Sequence, residues 1–204
     1  SGAYDELRRV AELLHAPVTT SWAARGVLPE TNELAIPMPQ VKLNHVVRND
    51  ADVVLIVGSR LGETDWWGKA PYWRHPSEQK MIQVDVDGHV LGANKPAALA
   101  VLADAKLFLA ALATALESRK TRMNLDARQR KIAKYRETLR AARAKLDEKL
   151  ADLAVPMNPA HIAHVCQQVF PEGSVLVADG GNTAVWAMIF HEMRVPNTIL
   201  STFK

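Results

Sequence analysis

The 204-residue sequence has a single cysteine, Cys166, and no long apolar run. One cysteine excludes an internal disulfide framework and any zinc site built from several cysteines, and it suits a reducing compartment. A membrane-spanning helix needs about 20 consecutive apolar residues, and no segment approaches that length. The first residues mix charged and apolar positions and lack the apolar centre of a signal peptide. These absences predict a cytoplasmic globular protein with no membrane partner.

An excess of charge of one sign is also lacking over most of the chain. Residues 119–152 hold 12 basic and 5 acidic residues, whereas the remainder holds 13 and 17. Along this basic segment and at the residue after it, an apolar residue recurs at every seventh position, at Leu125, Ile132, Leu139, Leu146 and Leu153. The spacing predicts a long amphipathic helix whose charged residues form its solvated face. Binding of nucleic acid to that face is an alternative that requires strongly salt-dependent association. We expect no nucleic-acid partner, because the apolar spacing already explains the helix.

Three short apolar segments predict parallel strands. Residues 52–57 are almost continuously apolar and end at Gly58, and residues 81–87 end at Gly88. Runs that are apolar on both faces are typical of strands covered by helices. A weaker strand is predicted over residues 99–102.

Helical patterns separate these strands. Helices are predicted over residues 3–14 and 44–49, and Asp104 is placed to cap a third helix that ends at Glu117. Strands that alternate with helices predict an α/β fold with a doubly wound, Rossmann-like parallel sheet.

A second α/β unit is predicted after the prolines that end the long helix. It comprises a helix over 160–169, a strand over 174–178 and a helix over 183–192. Because one or two parallel strands cannot bury their own faces, we expect this unit to be incomplete. The predicted division is a central domain, a connecting amphipathic helix and an incomplete α/β unit, over residues 1–118, 119–156 and 157–204.

Polar residues follow two of the predicted strands at the point where each ends. Gly58, Ser59 and Arg60 follow the first strand, and Asp85 lies near the end of the second. Open α/β sheets bind ligands at the carboxyl ends of their strands, where N–H groups and an arginine hold phosphates and a carboxylate binds ribose hydroxyls. An ordinary turn, a capped strand end and a metal site at Asp85 and Asp87 are the alternatives. The metal site has the least support of the three.

Aromatic residues crowd the next segment, at Trp66, Trp67, Tyr72 and Trp73. They can stack on nucleic-acid bases, stack on an adenine or fill a subunit interface. We favour adenine or an interface, because the chain outside residues 119–152 is net acidic.

Residues with metal-binding or nucleophilic chemistry are few in the second unit. His161 and His164 lie three residues apart and could share a metal, but packing or capping is the expected role. Cys166 is predicted to be a small buried apolar residue. The sequence has neither a G-x-S-x-G motif nor a P-loop, and we predict no catalytic residue and no metal ligand in this chain.

Several segments occur in a characteristic order. They read PVTT with RGVLPE, ADVVLIVGSRL, IQVDVD with GAN, and DAKLFL, at residues 17–30, 51–61, 82–94 and 104–109. A strand that ends in D-G-G-N follows at residues 174–182. Together they resemble the thiamine-diphosphate enzyme superfamily typified by acetolactate synthase.

The resemblance implies three α/β domains, of which this chain would hold the central one and the beginning of the diphosphate-binding one. For the whole enzyme it implies thiamine diphosphate and Mg²⁺, a carboligation or decarboxylation of 2-oxo acids or 2-hydroxyacyl substrates, and a homo-oligomer. The activating glutamate and the G-D-G…N motif would lie outside this chain. We therefore expect the chain alone to bind no substrate productively and to be inactive.

The resemblance also implies cofactor contacts. The central domain of this family binds FAD or ADP or has lost its ligand, so the chain alone would be structural or would bind an adenine nucleotide. Residues that would face FAD or ADP are Gly58, Ser59, Arg60 and Asp85. Residues that would touch the diphosphate of thiamine diphosphate are Gly181, Asn182 and Thr183. Prolines at residues 36–40 replace a glycine-bearing segment of the family and remove N–H donors, which disfavours FAD. A stand-alone regulatory module that binds an adenine nucleotide through the same residues is the alternative function.

Overall fold

A computed structural model describes residues 1–119, 124–151 and 154–201 of the chain. The chain forms two compact units, the first from Ser1–Pro17 and Val41–Asp126 and the second from Val18–Gln40 and Ala127–Lys204. The predicted domain limits near residues 118 and 156 stay a prediction, and residues 18–40 belong to the second compact unit.

Short helices and strands alternate along the chain. In order they are α1 (Tyr4–Leu14), β1 (Val18–Thr19), β2 (Ala35–Ile36), α2 (Val41–Asp50), β3 (Val53–Val57), a 3₁₀ helix (Glu63–Gly68), β4 (Lys80–Asp85), a 3₁₀ turn (Gly88–Val90), β5 (Leu99–Leu102), α3 (Ala105–Glu117), α4 (Asp126–Leu150), α5 (Ala160–Val169), β6 (Leu176–Ala178), α6 (Gly181–Phe190) and β7 (Ile199–Ser201).

The first unit contains a three-stranded parallel sheet in the order β3-β4-β5. Val57 pairs with Val84, and Val84 pairs in turn with Val101, so the three strands end at one edge. The parallel strands and their covering helices confirm the predicted α/β, Rossmann-like class.

The two faces of this sheet carry different cores, because successive side chains of a strand point to opposite sides. Leu55 and Val57 pack on one face against a cluster centred on Val10 of α1 and Leu109 of α3. On the other face Val54 and Ile56 join a second cluster, built from Leu61, Trp73 and Met81. Both faces are therefore covered, which explains the continuously apolar composition of β3.

The start of α3 shows how a local signal fixes an element boundary. The side chain of Asp104 accepts hydrogen bonds from the backbone N–H groups of Lys106 and Leu107, at 2.8 and 3.1 Å. These donors lack partners within the helix, so the cap satisfies them. The predicted helix from this cap to Glu117 is confirmed.

The second unit contains two small parallel sheets, β1-β2 and β6-β7. The long helix α4 buries Ile132 and Tyr135 along one face, and apolar residues spaced along the same face are half-buried, at Leu139, Ala142, Leu146 and Leu150. The predicted amphipathic helix is confirmed over this range. The last member of the predicted repeat, Leu153, lies outside the described residues.

Several predicted boundaries were wrong by about one turn or less. β4 ends at Asp85 rather than Asp87, because Asp87 caps the following 3₁₀ turn. α6 begins at Gly181 and ends at Phe190, two residues ahead of the predicted helix at both ends, and α2 begins three residues before the predicted start. In the described ranges, no helix combines the length and apolar character that a membrane crossing requires.

Candidate functional site

The carboxyl edge of the three-stranded sheet brings together the residues predicted to face a nucleotide. Because Val57 pairs with Val84, Gly58 and Asp85 occupy neighbouring positions on adjacent strands. The N–H of Gly58 donates to the carbonyl of Val84 at 2.9 Å. Ser59 and Arg60 continue from this point, so all four predicted residues lie at one edge.

The loop after β3 turns sharply through backbone conformations with positive φ. Gly58 has φ +64°, and a Cβ added there would have no neighbour within 4 Å. Glycine is therefore favoured by backbone conformation rather than by crowding. The Ser59 hydroxyl accepts the N–H of Leu61 at 3.1 Å. Its own O–H proton can still be donated to an anion.

A buried glutamine of β4 holds the backbone of this loop in place by hydrogen bonds. Gln83 of β4 is 1% exposed. Its amide nitrogen donates to the carbonyls of Ser59 and Val90 at 2.9 and 3.3 Å, and its amide oxygen accepts the N–H of Gly92 at 2.7 Å. This role was not predicted from the sequence, although one polar residue inside an otherwise buried strand was the available signal.

A second side-chain amide holds the other side of the loop. Asn94 donates to the carbonyls of Arg60 and Leu61 at 2.8 and 3.1 Å. Gly58 and Arg60 are exposed, whereas Ser59 is half-buried. The loop therefore presents accessible groups on a backbone that two side-chain amides hold in place.

The two aspartates at the end of β4 have different roles. Asp87 accepts the N–H of His89 at 2.9 Å and caps the 3₁₀ turn, as the alternative of a capped strand end predicted. One oxygen of Asp85 accepts the N–H of Asp87 at 3.0 Å. A carboxylate offers about four acceptor positions, so Asp85 retains capacity to bind hydroxyl groups.

The aromatic segment contains a buried ion pair. Arg48 of α2 donates to Asp65 at 3.0 Å, and the two side chains are 5% and 9% exposed. Burial lowers the pKa of Arg48 and raises the pKa of Asp65, and in each case the partner charge acts in the opposite direction. The guanidinium carbon lies 4.9 Å from the centre of the Trp73 ring. Trp73 is itself buried and donates its Nε1–H to the Asp65 carbonyl at 2.9 Å, so it is a core residue.

Lys95 is buried beside this cluster. Its ammonium group donates to the carbonyl of Arg74 at 2.5 Å and to that of Gly68 at 3.4 Å. Burial lowers the pKa of Lys95. The lysine thereby joins two turns of the aromatic segment.

In the second unit, the residues predicted to touch a diphosphate begin α6. Gly181, Asn182 and Thr183 are exposed, and Ala184 after them is buried. They follow β6 through Gly180, whose N–H donates to the side chain of Asp179 at 2.7 Å. The first N–H groups of a helix have no partner within it and favour anions.

An unpredicted cluster holds the opposite end of α6. Arg25 donates to both carboxylate oxygens of Glu30 at 2.7 and 2.8 Å, and to the carbonyls of Met188 and His191 at 2.9 Å each. Glu30 accepts the N–H of Met193 at 2.9 Å. Burial, followed by the charge of Arg25, lowers the pKa of His191. The segment RGVLPE therefore anchors α6. From the sequence it contributed to the family resemblance, but this structural role was not predicted.

The histidines of α5 do not assemble a metal site in the described ranges, where no group of three possible ligands occurs. His164 lies 2.9 Å from the side-chain amide of Gln168. Cys166 is half-buried, and the prediction of a buried residue was wrong, because Val165 and Val169 next to it on the helix are exposed.

Comparison with known proteins gives a consistent result. Residues 1–112 match the family described as thiamine pyrophosphate enzyme, central domain. Over 99% of its length the chain is 27% identical to the chloroplastic acetolactate synthase 2 of Nicotiana tabacum, of which it covers 30%. It is 30% identical to the probable chloroplastic acetolactate synthase 2 of Oryza sativa subsp. japonica, with 97% of the chain and 29% of the relative covered.

A third relative agrees with these two in name and in the share of it that the chain covers. The probable acetolactate synthase large subunit of Methanocaldococcus jannaschii is 25% identical over 99% of the chain, which covers 34% of it. The chain therefore spans about a third of the length of the relatives it matches.

Proposed function

The chain belongs to the family of thiamine pyrophosphate enzymes, whose central domain it matches over residues 1–112, and from this premise we propose that it is part of an enzyme of the acetolactate synthase type. In this role the first unit holds an adenine nucleotide, and the second unit contributes contacts to the diphosphate of the thiamine cofactor. The observation that carries the proposal is the adjacency of Gly58 and Asp85 at the sheet edge, in a chain that aligns with acetolactate synthases over nearly its whole length.

The residues at the sheet edge fit a nucleotide. Arg60 is exposed and offers a guanidinium that can bind phosphate oxygens in a bidentate manner. The Ser59 hydroxyl supplies a second donor beside it. Asp85, on the next strand, can accept hydrogen bonds from ribose hydroxyls. Donors for phosphate and an acceptor for ribose therefore lie side by side at the sheet edge.

ADP fits the chain better than FAD. The segment in which the family carries a glycine reads Ile-Pro-Met-Pro-Gln here, at residues 36–40, and its two prolines offer no N–H group to a phosphate. Ile36 and Met38 in this segment are buried, so they contribute to packing. We expect purified protein without flavin absorbance.

Thiamine diphosphate, when bound, supplies the carbanion chemistry by which 2-oxo acids are decarboxylated or ligated. The part of this chain is to bind and orient the cofactor's diphosphate. The exposed N–H groups that begin α6 and the side chains of Asn182 and Thr183 can donate to its oxygens. In the described ranges no three histidine, cysteine, aspartate or glutamate side chains lie together as a metal site.

Isothermal titration of the chain with ADP tests the nucleotide site. We expect saturable one-to-one binding that Arg60→Gln and Asp85→Asn each weaken by about tenfold, since each removes one charge-assisted contact of roughly 1.5 kcal/mol. Arg8→Gln is the matched control, because Arg8 is a partly exposed arginine on α1 that pairs only with Asp5 at 3.1 Å among the ion pairs described. Equal loss of affinity in Arg60→Gln and Arg8→Gln would show that the binding is a nonspecific charge effect.

An assay with pyruvate, thiamine diphosphate and Mg²⁺ tests the proposed parent activity. We expect no acetolactate from the 204-residue chain and acetolactate from a longer homo-oligomeric protein that contains it. Formation of acetolactate by the chain alone would contradict the proposed division of roles.

A stand-alone regulatory module remains the second candidate, because the sheet edge can bind a nucleotide without any catalytic domain. A longer protein that binds ADP but acts on no 2-oxo acid would favour the module. The cytoplasmic location is part of our proposal and rests on the single cysteine.

A further inference from the structure

One aromatic side chain of the first unit is exposed although its neighbours are packed. Trp67 is 45% exposed, whereas Trp73 is 3% exposed. Trp67 lies in the 3₁₀ helix directly after the loop at the sheet edge. Its backbone N–H donates to the carbonyl of Gly62 at 3.0 Å, which ties the backbone of Trp67 to the end of the loop that carries the proposed phosphate contacts.

The backbone that carries this indole is strained. Trp66 has φ +50° and ψ +35°, and Trp67 has φ +50° and ψ +26°. Bulky side chains rarely adopt this left-handed region, and such conformations persist where the surroundings enforce them. Packing of Trp67 itself does not explain the conformation, because nearly half of its surface is in contact with solvent.

The residues before and after Trp67 are the ones that enforce it. The Trp66 ring stacks on Tyr72 with 4.5 Å between centres and meets His45 edge-on at 4.4 Å. Gly68 is fixed on the other side, because a Cβ at this position would lie 2.8 Å from the Cβ of Lys95. Trp67 is thus held between two fixed neighbours with its ring presented outward.

We propose that Trp67 is the platform on which the adenine ring of the bound nucleotide stacks, an inference that rests on the proposed nucleotide site at Gly58–Arg60 and Asp85. A phosphate or ribose needs no aromatic surface, whereas a purine gains from an indole held ready for it, because little side-chain entropy is then lost on binding. The ligand class is therefore a purine nucleoside phosphate rather than free diphosphate.

Paired titrations with ADP and inorganic pyrophosphate test the platform. Trp67→Ala is expected to weaken ADP binding by about 5- to 150-fold, the loss typical of one base–aromatic contact. The affinity for pyrophosphate should not change. Trp67→Phe is the matched control that keeps an aromatic face and most of the ADP affinity. ADP should quench tryptophan fluorescence in the unchanged chain, and pyrophosphate should not.

The outcomes separate the platform from the nucleotide site. If the unchanged chain binds neither ligand, the nucleotide site is absent and the platform falls with it. If ADP binds and Trp67→Ala binds it equally well, the site stands and the platform is refuted. Loss of self-association in Trp67→Ala with unchanged ADP affinity refutes it in favour of a subunit interface. If Trp67→Ala does not fold, the fluorescence of Trp67→Phe tests the platform instead. This variant should lose most of the ADP-induced quenching, and quenching that persists would refute the platform.

Discussion

Replacing Arg25 with methionine removes a buried positive charge and leaves its partner in place. Arg25 is 1% exposed, and its guanidinium holds both oxygens of Glu30 together with two backbone carbonyls near the end of α6. Glu30 is itself 8% exposed. Methionine is an unbranched side chain that can occupy much of the same space, but it donates no hydrogen bond.

The expected loss is large for a single substitution. Removing one partner of a buried ion pair costs about 3–5 kcal/mol, since the remaining charge stays buried without compensation. The carbonyls of Met188 and His191 lose a donor as well, which places the value toward the upper end of that range. Domains are stable by only about 5–15 kcal/mol, so the second unit should be close to unfolding.

Urea unfolding followed by amide hydrogen exchange measures this loss. The amides to follow are those of Glu30, which donates to the Met193 carbonyl, and of Met193, which donates to Glu30. Arg143→Met is the matched control, because Arg143 pairs with Asp147 at 2.8 Å with both side chains about half exposed, and such a pair is worth about 0.5 kcal/mol.

A double variant, Arg25→Met with Glu30→Gln, should recover part of the stability, because it removes the unpaired charge and keeps an acceptor for Met193. If Arg25→Met lowered the free energy of unfolding by no more than Arg143→Met does, the buried pair would not contribute to stability and this explanation would be wrong.

Three further substitutions have defined outcomes. Asp104→Ala should lower the free energy of unfolding by about 1 kcal/mol, because the α3 cap is lost. Asp104→Asn should retain most of that stability in thermal unfolding, and equal losses in the two variants would argue against the cap. Gly26→Ala should destabilise the chain more than Gly173→Ala in urea titrations, since both glycines have positive φ but only the first would place a Cβ 2.5 Å from the Val195 carbonyl; the reverse order would disprove this packing. Burial lowers the pKa of His191 in the folded chain. Below a pH of about 6.5 the unfolded chain therefore binds a proton at His191 that the folded chain does not bind, and the free energy of unfolding falls as the pH falls. His191→Gln should flatten the dependence of the urea midpoint on pH, and an unchanged slope would contradict the assignment.

The sequence was informative where a physical cause acts locally. β3 was predicted because a parallel strand covered on both faces is apolar throughout, and the start of α3 because a cap is a single residue next to its helix. The positions of Gly58 and Asp85 at the carboxyl ends of their strands were predicted for a similar reason, and since strands of a parallel sheet all end at one edge, the two residues lie together.

Features that depend on distant partners were not predictable. β2 and β7 have two and three residues and are defined only by the strands they pair with. The contacts of Arg25 with α6 join residues more than 160 positions apart, so neither partner marks the other in sequence. The roles of the rings in the aromatic segment could not be assigned from the sequence, because composition does not show which ring is packed. Trp67 is exposed and Trp73 is buried only as a result of the fold.

Chemical-shift mapping of the amides during an ADP titration tests the nucleotide site most directly. The predicted result is a saturable set of shifts confined to residues 58–62 and 85–87, with a further shift of the Trp67 indole N–H. Shifts that do not saturate, or that fall elsewhere while the amides of Gly58 and Asp85 stay still, would contradict it.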